Sequence, residues 1–422
     1  MLKMRKMKDS GIEWIGEIPE GWEIKRLGAI LQDRNEVNNP IQTTIILSLT
    51  NNRGVIPYSE KGNQGNKAKD DLTGYKIAHI GDIVLNSMNV IIGSVGLSNY
   101  YGAVSPVYYM LFPRNNIETN IQYYNYLFQT TAFQQSLRGY GNGILEIRMR
   151  IQMQKLKTVL LPVPTFLEQS NITVYLDASL SKLNILLSKT RSSIEEYKKL
   201  KQAVITQAVT KGVRGKRETK DSKIEWLGQI PKEWKCQKLK YTIFPQNRPV
   251  FNTDEIITCF RDGIVTLRKN RREDGFTVSF TEHGYQGVEI GDLVIHGMDA
   301  FAGAIGCSDS RGKTTPVVHV CTTTGNNRFF MFFLRYMAYS NIFMDFSNGI
   351  RIRSSDFRNF TKLGIFDVLV PPIAEQNEIA DYLDAKCAEI DGLIAKKEQL
   401  VKELESYKKS LIYEIVTGKR EV

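Results

Sequence analysis

DSGIEWIGEIPEGWEIKRLG at residues 9–28 returns as DSKIEWLGQIPKEWKCQKLK at residues 221–240. The offset is 212 and ten of the twenty positions are identical, among them Trp14/Trp226, Pro19/Pro231, Trp22/Trp234 and Leu27/Leu239. Further out, GDIVLNSMNVIIGSVG from Gly81 is matched by GDLVIHGMDAFAGAIG from Gly291 at an offset of 210. LPVPTFLEQSNITVYLDA and VPPIAEQNEIADYLDA share Glu168/Glu375, Gln169/Gln376, Tyr175/Tyr382 and Asp177/Asp384 at an offset of 207. Solenoid units run roughly 20–50 residues, so a period this long describes two whole modules in tandem. A molecule built this way acts twice, on a partner that offers two sites.

At 422 residues the chain exceeds one ordinary core and fits two or more domains. Hydrophobic content of 42% with 24% charged residues is that of a folded globular protein. The net charge of +11 fits a polyanionic partner. Cys236, Cys259, Cys307, Cys321 and Cys387 are scattered, with no CxxC pair, which argues against a zinc cluster or a disulfide framework. MLKMRKMKDS at the start has no apolar core, so it does not read as a signal peptide. No run approaches the ~18 apolar residues of a membrane helix. A cytoplasmic protein with no membrane partner is expected.

Each module opens with short β-branched runs separated by Gly, Asn and Asp clusters, the pattern of strands joined by turns. TTIILSL (43–49) and DIVLNSM (82–88) stand in the first copy; EIITCF (255–260), GIVTL (263–267), FTVSF (276–280) and DLVIHGM (292–298) stand in the second. Helical spacing of apolar residues over 122–137 and 328–346 predicts one packing helix in each copy. FFMFFL at 329–334 reads as a buried turn of the second.

The character then changes. Residues 168–210 contain no Pro or Gly, and 375–417 only Gly392. Leu383, Ile390, Lys397, Leu404 and Leu411 fall every seventh residue, with Leu393, Leu400 and Tyr407 as companions; Leu176, Leu183, Thr190, Tyr197 and Val204 do the same beside Leu180, Leu187 and Ile194. Such heptads predict coiled-coil-like helices. Pro162, Pro164, Pro371 and Pro372 stand just before them, where helix-incompatible residues belong. About 38 residues of helix span roughly 57 Å, and an amphipathic helix of that length needs a partner. Matching seams make each helix the natural partner of the other, as an antiparallel rod; the other reading packs each helix only on its own domain. The fold class expected is α+β. Globular domains are expected at 1–165 and 213–372 (with a linker at 213–222), and long helices at 166–212 and 373–422.

Catalytic signatures are missing. His79, His283, His296 and His319 have no metal-ligand spacing, and no GxSxG elbow occurs. GCSDSRGKT from Gly306 has five residues between its glycines where a phosphate loop needs four, and the first copy has GLSNYYGAV there, without lysine. It reads as a basic loop. No Asn/Asp-Pro-Pro-aromatic tetrapeptide of a methyltransferase is present. Asp82 and Asp292, each after a glycine and before a strand, read as turn residues rather than metal ligands.

Polar and basic turns are abundant. The first copy offers Asn51, Asn52, Arg53, Lys61, Lys67, Asn86, Asn89, Asn142, Arg148 and Arg150. The second offers Arg268, Lys269, Arg271, Arg272, His296, Asp299, Arg311, Lys313, Asn348, Arg351 and Arg353. Arg and Lys suit phosphate and guanine, and Asn suits adenine. A solvated surface would also carry many such residues. The contrast between copies carries more weight: turns such as Gly81-Asp82 and Gly291-Asp292 repeat, while the neighbouring loops NNRG and LRKNRREDG do not. One frame with two sets of loops can recognise two different things by one geometry.

On these residues the chain resembles the specificity subunit of a type I restriction–modification system. The likeness rests on the paired IEWIGEIPEGWEIKRL and IEWLGQIPKEWKCQKL openings and on the GDIVLNSM and GDLVIHGM strands, followed by Ser105-Pro106 and Thr315-Pro316. It extends to LPVPTFLEQ and VPPIAEQ, which lead into helices ending AVTKG and IVTGK. The resemblance implies two target-recognition domains reading the halves of a split, asymmetric site in double-stranded DNA. It implies a non-catalytic chain whose helices act as spacer and dock two modification subunits. Those subunits would hold the S-adenosylmethionine and the adenine methyltransferase chemistry, and restriction translocase–nuclease subunits would join them. The competing reading is a non-catalytic coiled-coil scaffold that binds protein and has an incidental basic surface.

Overall fold

A computed structural model of the chain describes residues 5–51, 53–62, 67–142, 150–271, 283–344 and 357–422. The expected strand at 276–280 and the candidates Asn52, Arg148, Arg272, Asn348, Arg351 and Arg353 lie outside the described residues. The chain divides into two units, Met1–Thr190 with Gln399–Val422, and Arg191–Glu398.

In the first unit β1 (Glu23–Arg26) and β2 (Leu31–Arg34) precede a hairpin of β3 (Leu47–Thr50) and β4 (Gly54–Pro57). β5 (Lys76–Ala78), β6 (Ile83–Asn86), β7 (Val95–Leu97), β8 (Gly102–Val104) and β9 (Tyr108–Pro113) follow. The main sheet has the order β2-β9-β6-β7, antiparallel throughout. β6 is buried along its whole length, as a central strand of near-continuous apolar residues should be. Its register is fixed by Asp82, which accepts the His79 N–H at 2.9 Å and pairs with Arg34 of β2 at 3.0 Å. The repeated Gly-Asp is thus a turn that ties two strands together.

The packing helix comes in two pieces, α1 (Ile121–Phe128) and α2 (Thr131–Ser136), where the sequence predicts one. The Asn120 side chain caps α1 by accepting the Gln122 N–H at 3.0 Å. Thr130 then starts a new helix, accepting the Phe133 N–H and donating to the Leu127 carbonyl. β10 (Leu160–Val163) returns to pair with β1, and α3 (Phe166–Lys211) leaves.

The second unit repeats this plan. β11 (Lys235–Lys238), β12 (Ile243–Pro245) and the hairpin β13 (Ile257–Cys259) and β14 (Val265–Leu267) lead to β15 (Gln286–Val288). β16 (Leu293–His296), β17 (Ile305–Cys307), β18 (Gly312–Thr314) and β19 (Val318–Thr323) follow, and the sheet order is β12-β19-β16-β17. Asp292 accepts the Glu289 N–H and pairs with Arg248, as Asp82 does with Arg34. Gly306 to Thr314, expected as a basic loop, contributes to β17 and β18 instead. α4 (Asn327–Tyr339) is continuous: at the offset of 206 that relates Asn120 to Asn326, Tyr336 replaces the capping Thr130. Phe329, Phe330, Phe332, Phe333 and Leu334 of α4 are buried in the core. β20 (Asp367–Val370) pairs with β11, and α5 (Ile373–Val416) ends the fold.

Each unit contains one end of each long helix, and in each the two run antiparallel. In the first, Trp22 donates to Glu168 near the start of α3 and packs on Gly418 just past α5, while Lys408 bonds Asn184 at 2.9 Å. In the second, Lys201 pairs with Asp391 at 2.6 Å, and Ile205 and Val209 share a core with Ile379 and Leu383. Leu176, Leu180, Leu187, Thr190, Ile194, Leu383, Ile390 and Leu411 are buried as the heptads require. Leu400 and Tyr407 are not: they are exposed, and Val401, Leu404 and Lys408 are half-buried in their stead. A helix of 3.6 residues per turn drifts against a strict seven-residue repeat, and here the stripe has moved by one residue.

Candidate nucleic-acid interface

The hairpin β3–β4 of the first unit turns through exposed Asn51 and Arg53. Gly54, at φ +65°, closes the turn in a left-handed conformation that few side-chain-bearing residues adopt. Arg53 is committed locally, its guanidinium bonding the Glu60 carbonyl at 3.1 Å and the Glu60 carboxylate at 2.6 Å. It also lines a cleft of about 800 Å3 with the amides Asn99, Gln122, Asn125, Gln129 and Asn184. Lys61 follows, its ammonium 5.1 Å from the Tyr58 ring centroid, and Lys67 is exposed.

A second group gathers at the end of β6. Asn86 is buried there, and its side-chain oxygen accepts the Met88 N–H at 3.0 Å, a turn-forming role. The Asn89 carbonyl accepts from Ile92 and Ser94 in the same turn. A short ladder pairs Asn142 with exposed Arg150, and the next residue anchors it: Ile151 donates its N–H to the Ser87 carbonyl at 3.0 Å. Arg53 therefore lies on the hairpin, while Asn142 and Arg150 flank the central strand.

The second unit has the same two places with different occupants. At the end of β16, the imidazole Nδ1 of His296 accepts the backbone N–H groups of Met298 (3.3 Å) and Asp299 (3.1 Å). Burial lowers the His296 pKa below its ordinary value against the pull of Asp299, so the ring is neutral at pH 7. Phe357 donates to the Gly297 carbonyl at 2.9 Å, in the place of the Ile151–Ser87 bond and at the 210 offset from Ser87 to Gly297.

On the hairpin side, Arg268 donates to Thr258, and Lys269 pairs with Glu255 at 2.5 Å. Arg271 grips Asp262 with two nitrogens, at 3.0 and 2.5 Å, and lies 4.4 Å from the Phe260 ring centroid. Arg311 is held by Asp254 and Glu289 over the Phe251 ring, and Lys313 sits in β18 opposite Gly287.

Three residues not picked out from the sequence belong to this group. Arg261 bonds Asp299 at 2.9 Å, Asp262 holds Arg271, and Arg335 of α4 reaches the tip. A Cβ on Gly263, at φ +88°, would collide with the Arg335 guanidinium. The signal was present: Asp262-Gly263 between two β-branched runs is a hairpin dipeptide, and hairpin tips are exposed.

Among the described residues, no group of three or more His, Cys, Asp or Glu side chains is placed to hold a metal. Also among them, no helix is long and apolar enough to cross a membrane.

The chain is similar to known proteins along nearly its whole length. The type I restriction modification DNA specificity domain matches residues 19–196. A putative type I restriction enzyme MjaX specificity subunit of Methanocaldococcus jannaschii is 26% identical over 435 aligned residues, covering 96% of this chain and 95% of that protein. The type I restriction enzyme MjaVIII specificity subunit of the same organism is 24% identical, over 95% of this chain and 93% of its own length. The fold matches the HsdS subunit of Thermoanaerobacter tengcongensis with a TM-score of 0.52 at 13% identity, over 96% of this chain and 98% of that one. It also matches, with a TM-score of 0.68 at 12% identity, a chain solved in work on complex assembly and conformational transition of the type I R-M system, over 96% of this chain and 99% of that one.

Proposed function

We infer that this chain is the specificity subunit of a type I restriction–modification system and reads the two halves of a split DNA site with the loop edges of its two units. Its part is DNA recognition, without catalysis of its own. The carrying observation is one frame built twice, with different polar and charged residues at the same two places: Arg53 and Arg150 in one unit, Arg261, Arg271 and His296 in the other. We assign recognition to residues 1–165 and 213–372 and spacing to the long helices.

Exposed apolar residues on those helices, Ile185, Leu186, Leu200, Leu400 and Tyr407, support docking of further subunits there. In this reading those are two modification subunits, which bind S-adenosylmethionine and methylate adenine, together with translocase–nuclease subunits, all in the cytoplasm. A protein-binding scaffold with incidental basic surface would need no divergent loops on a repeated frame.

Methylome sequencing of a host with and without the gene tests this. The expected result is the loss of one bipartite adenine-methylated motif on deletion, with no methyl transfer to DNA by the purified chain alone. An unchanged methylome in a host that methylates DNA through this system would refute the reading.

A finer test addresses the second unit's hairpin. Arg271→Ala should weaken binding to DNA carrying the second half-site. Loss of a base contact costs about 1–3 kcal/mol and relaxes specificity, whereas loss of a phosphate contact weakens all sequences and reduces the salt slope by about one. Titrations at several salt concentrations distinguish these. Unchanged affinity and slope would show that the hairpin faces away from DNA.

A further inference from the structure

Two exposed arginines at the β13–β14 hairpin of the second unit are already occupied. Arg261 Nη2 donates to Asp299 Oδ1 at 2.9 Å, and Asp299 belongs to the loop after β16. Arg271 donates to both carboxylate oxygens of Asp262 in the two-pronged geometry that a guanidinium also makes with phosphate. Arg335 stands beside the same tip, its guanidinium on the Tyr339 hydroxyl, so the site is not short of positive charge. The first unit reaches the same state with unrelated residues: Arg53, at the tip of its hairpin, is held by Glu60.

We propose that Asp262 and Asp299 restrain DNA binding through Arg271 and Arg261, holding the two guanidiniums in internal ion pairs that DNA must displace. The proposal rests on the reading that this hairpin meets DNA. Every duplex presents phosphates, so free arginines would bind all sequences alike. An arginine already matched to a carboxylate gains little by exchanging it for a phosphate. Only a site that adds base contacts makes the exchange favourable. The aspartates thus lower affinity for every duplex, by the phosphate contact forgone on nonspecific DNA and by the cost of the broken pair at a site that displaces it. The pairs are exposed, with side-chain exposures of 37% and 48% for Arg271 and Asp262, so the exchange is accessible.

The test uses the full-length chain with two duplexes, one of mixed sequence and one selected by the wild-type chain from a random pool. Asp262→Asn keeps the turn, because an amide oxygen can still accept the Ile264 N–H that Asp262 Oδ1 accepts at 3.2 Å. D262N and D299N should each bind the mixed-sequence duplex roughly two- to fivefold more tightly, the range expected for releasing one exposed pair. Their salt slopes should steepen by about 0.9, one additional phosphate contact. Affinity for the selected duplex should rise at least as much, because a site that displaces the pairs no longer bears the cost of breaking them.

In D262N/R271A the gain should vanish, because the released arginine is gone. A gain that persists there would mean a general charge effect and would overturn the proposal. Unchanged or weaker mixed-sequence binding by D262N and D299N would also overturn it. If R271A then still weakens DNA binding, the hairpin's role in DNA recognition stands; if R271A too has no effect, both readings fall.

Discussion

Arg217→Ala is expected to lower the unfolding transition of the second unit by about 6–20 °C. Arg217 lies against the start of α5, where its Nη2 is 2.5 Å from Glu375 Oε1. The carboxylate side chain is 1% exposed and the arginine 17%. Trp234 Nε1 donates to the other oxygen at 3.0 Å, and the Arg217 guanidinium lies 5.3 Å from the Trp234 ring centroid. Without Arg217, Glu375 is a buried charge answered by one indole N–H. Breaking such a pair costs about 3–5 kcal/mol, and each kcal/mol shifts a unit of this size by about 2–4 °C.

The repeat supplies an internal control. Arg5, Glu168 and Trp22 form the same trio in the first unit, but with side-chain exposures of 32% and 29% for the ion pair. Arg5→Ala should therefore cost about 1 kcal/mol or less. Burial pushes the Glu168 pKa up, but hydrogen bonds from Trp22, Arg5 and Thr165 outweigh it and hold the group below its ordinary value of 4.5. A carboxylate depressed in the folded state stabilises above its unfolded pKa, and that contribution disappears as the pH falls through the folded value. Calorimetry of both variants decides. Equal losses from the two arginines would show that burial does not separate the two trios.

The trio also shows what the sequence could and could not disclose. Trp22/Trp234 and Glu168/Glu375 are visible as repeats, and so is the pairing of modules they belong to. The partnership of Arg5 with Glu168 is not, because the contact spans 163 positions and the linker arginine has no distinctive neighbours. Long helices were legible almost to their ends, since heptads and flanking prolines are local signals. The split of the first packing helix was not, because a single capping threonine outweighed continuous apolar spacing. Candidate cations were legible as types in loops. Their engagement with Glu60, Glu255, Asp262 and Asp254 depends on which loops the sheet brings together, and no periodicity encodes that.

The proposed spacing role makes the second large prediction. An insertion after Thr210, in the last turn of the first long helix, would strike a packed segment. Thr210 is buried, its hydroxyl donates to the Thr206 carbonyl, and Val209 is fully enclosed. Both helices must instead be lengthened together where they meet, near Tyr197 and Lys397, whose ammonium lies 5.6 Å from the ring centroid.

Four residues added after Tyr197 and four after Lys396 lengthen each helix by about 6 Å, close to two base pairs of DNA. They also turn it about 40° past a full revolution, in the right-handed sense in which two base pairs advance a duplex by about 70°. The mismatch is about 30°, and a four-residue stutter is tolerated by coiled coils. The variant should methylate the same two half-sites with a spacer two base pairs longer.

On the old spacer one half-site falls out of place, and losing even two matched base pairs costs about 2–6 kcal/mol. Seven residues in each helix would behave differently. They preserve the seam but turn the helix back about 20°, while the matching three base pairs advance the duplex about 100°. Half-sites would then be out of phase at every spacer, and methylation should collapse. Methylome sequencing of both variants reads the outcome. A four-residue variant that still methylates only the original spacer, or a seven-residue variant as active as the four-residue one, would remove the helices as the ruler.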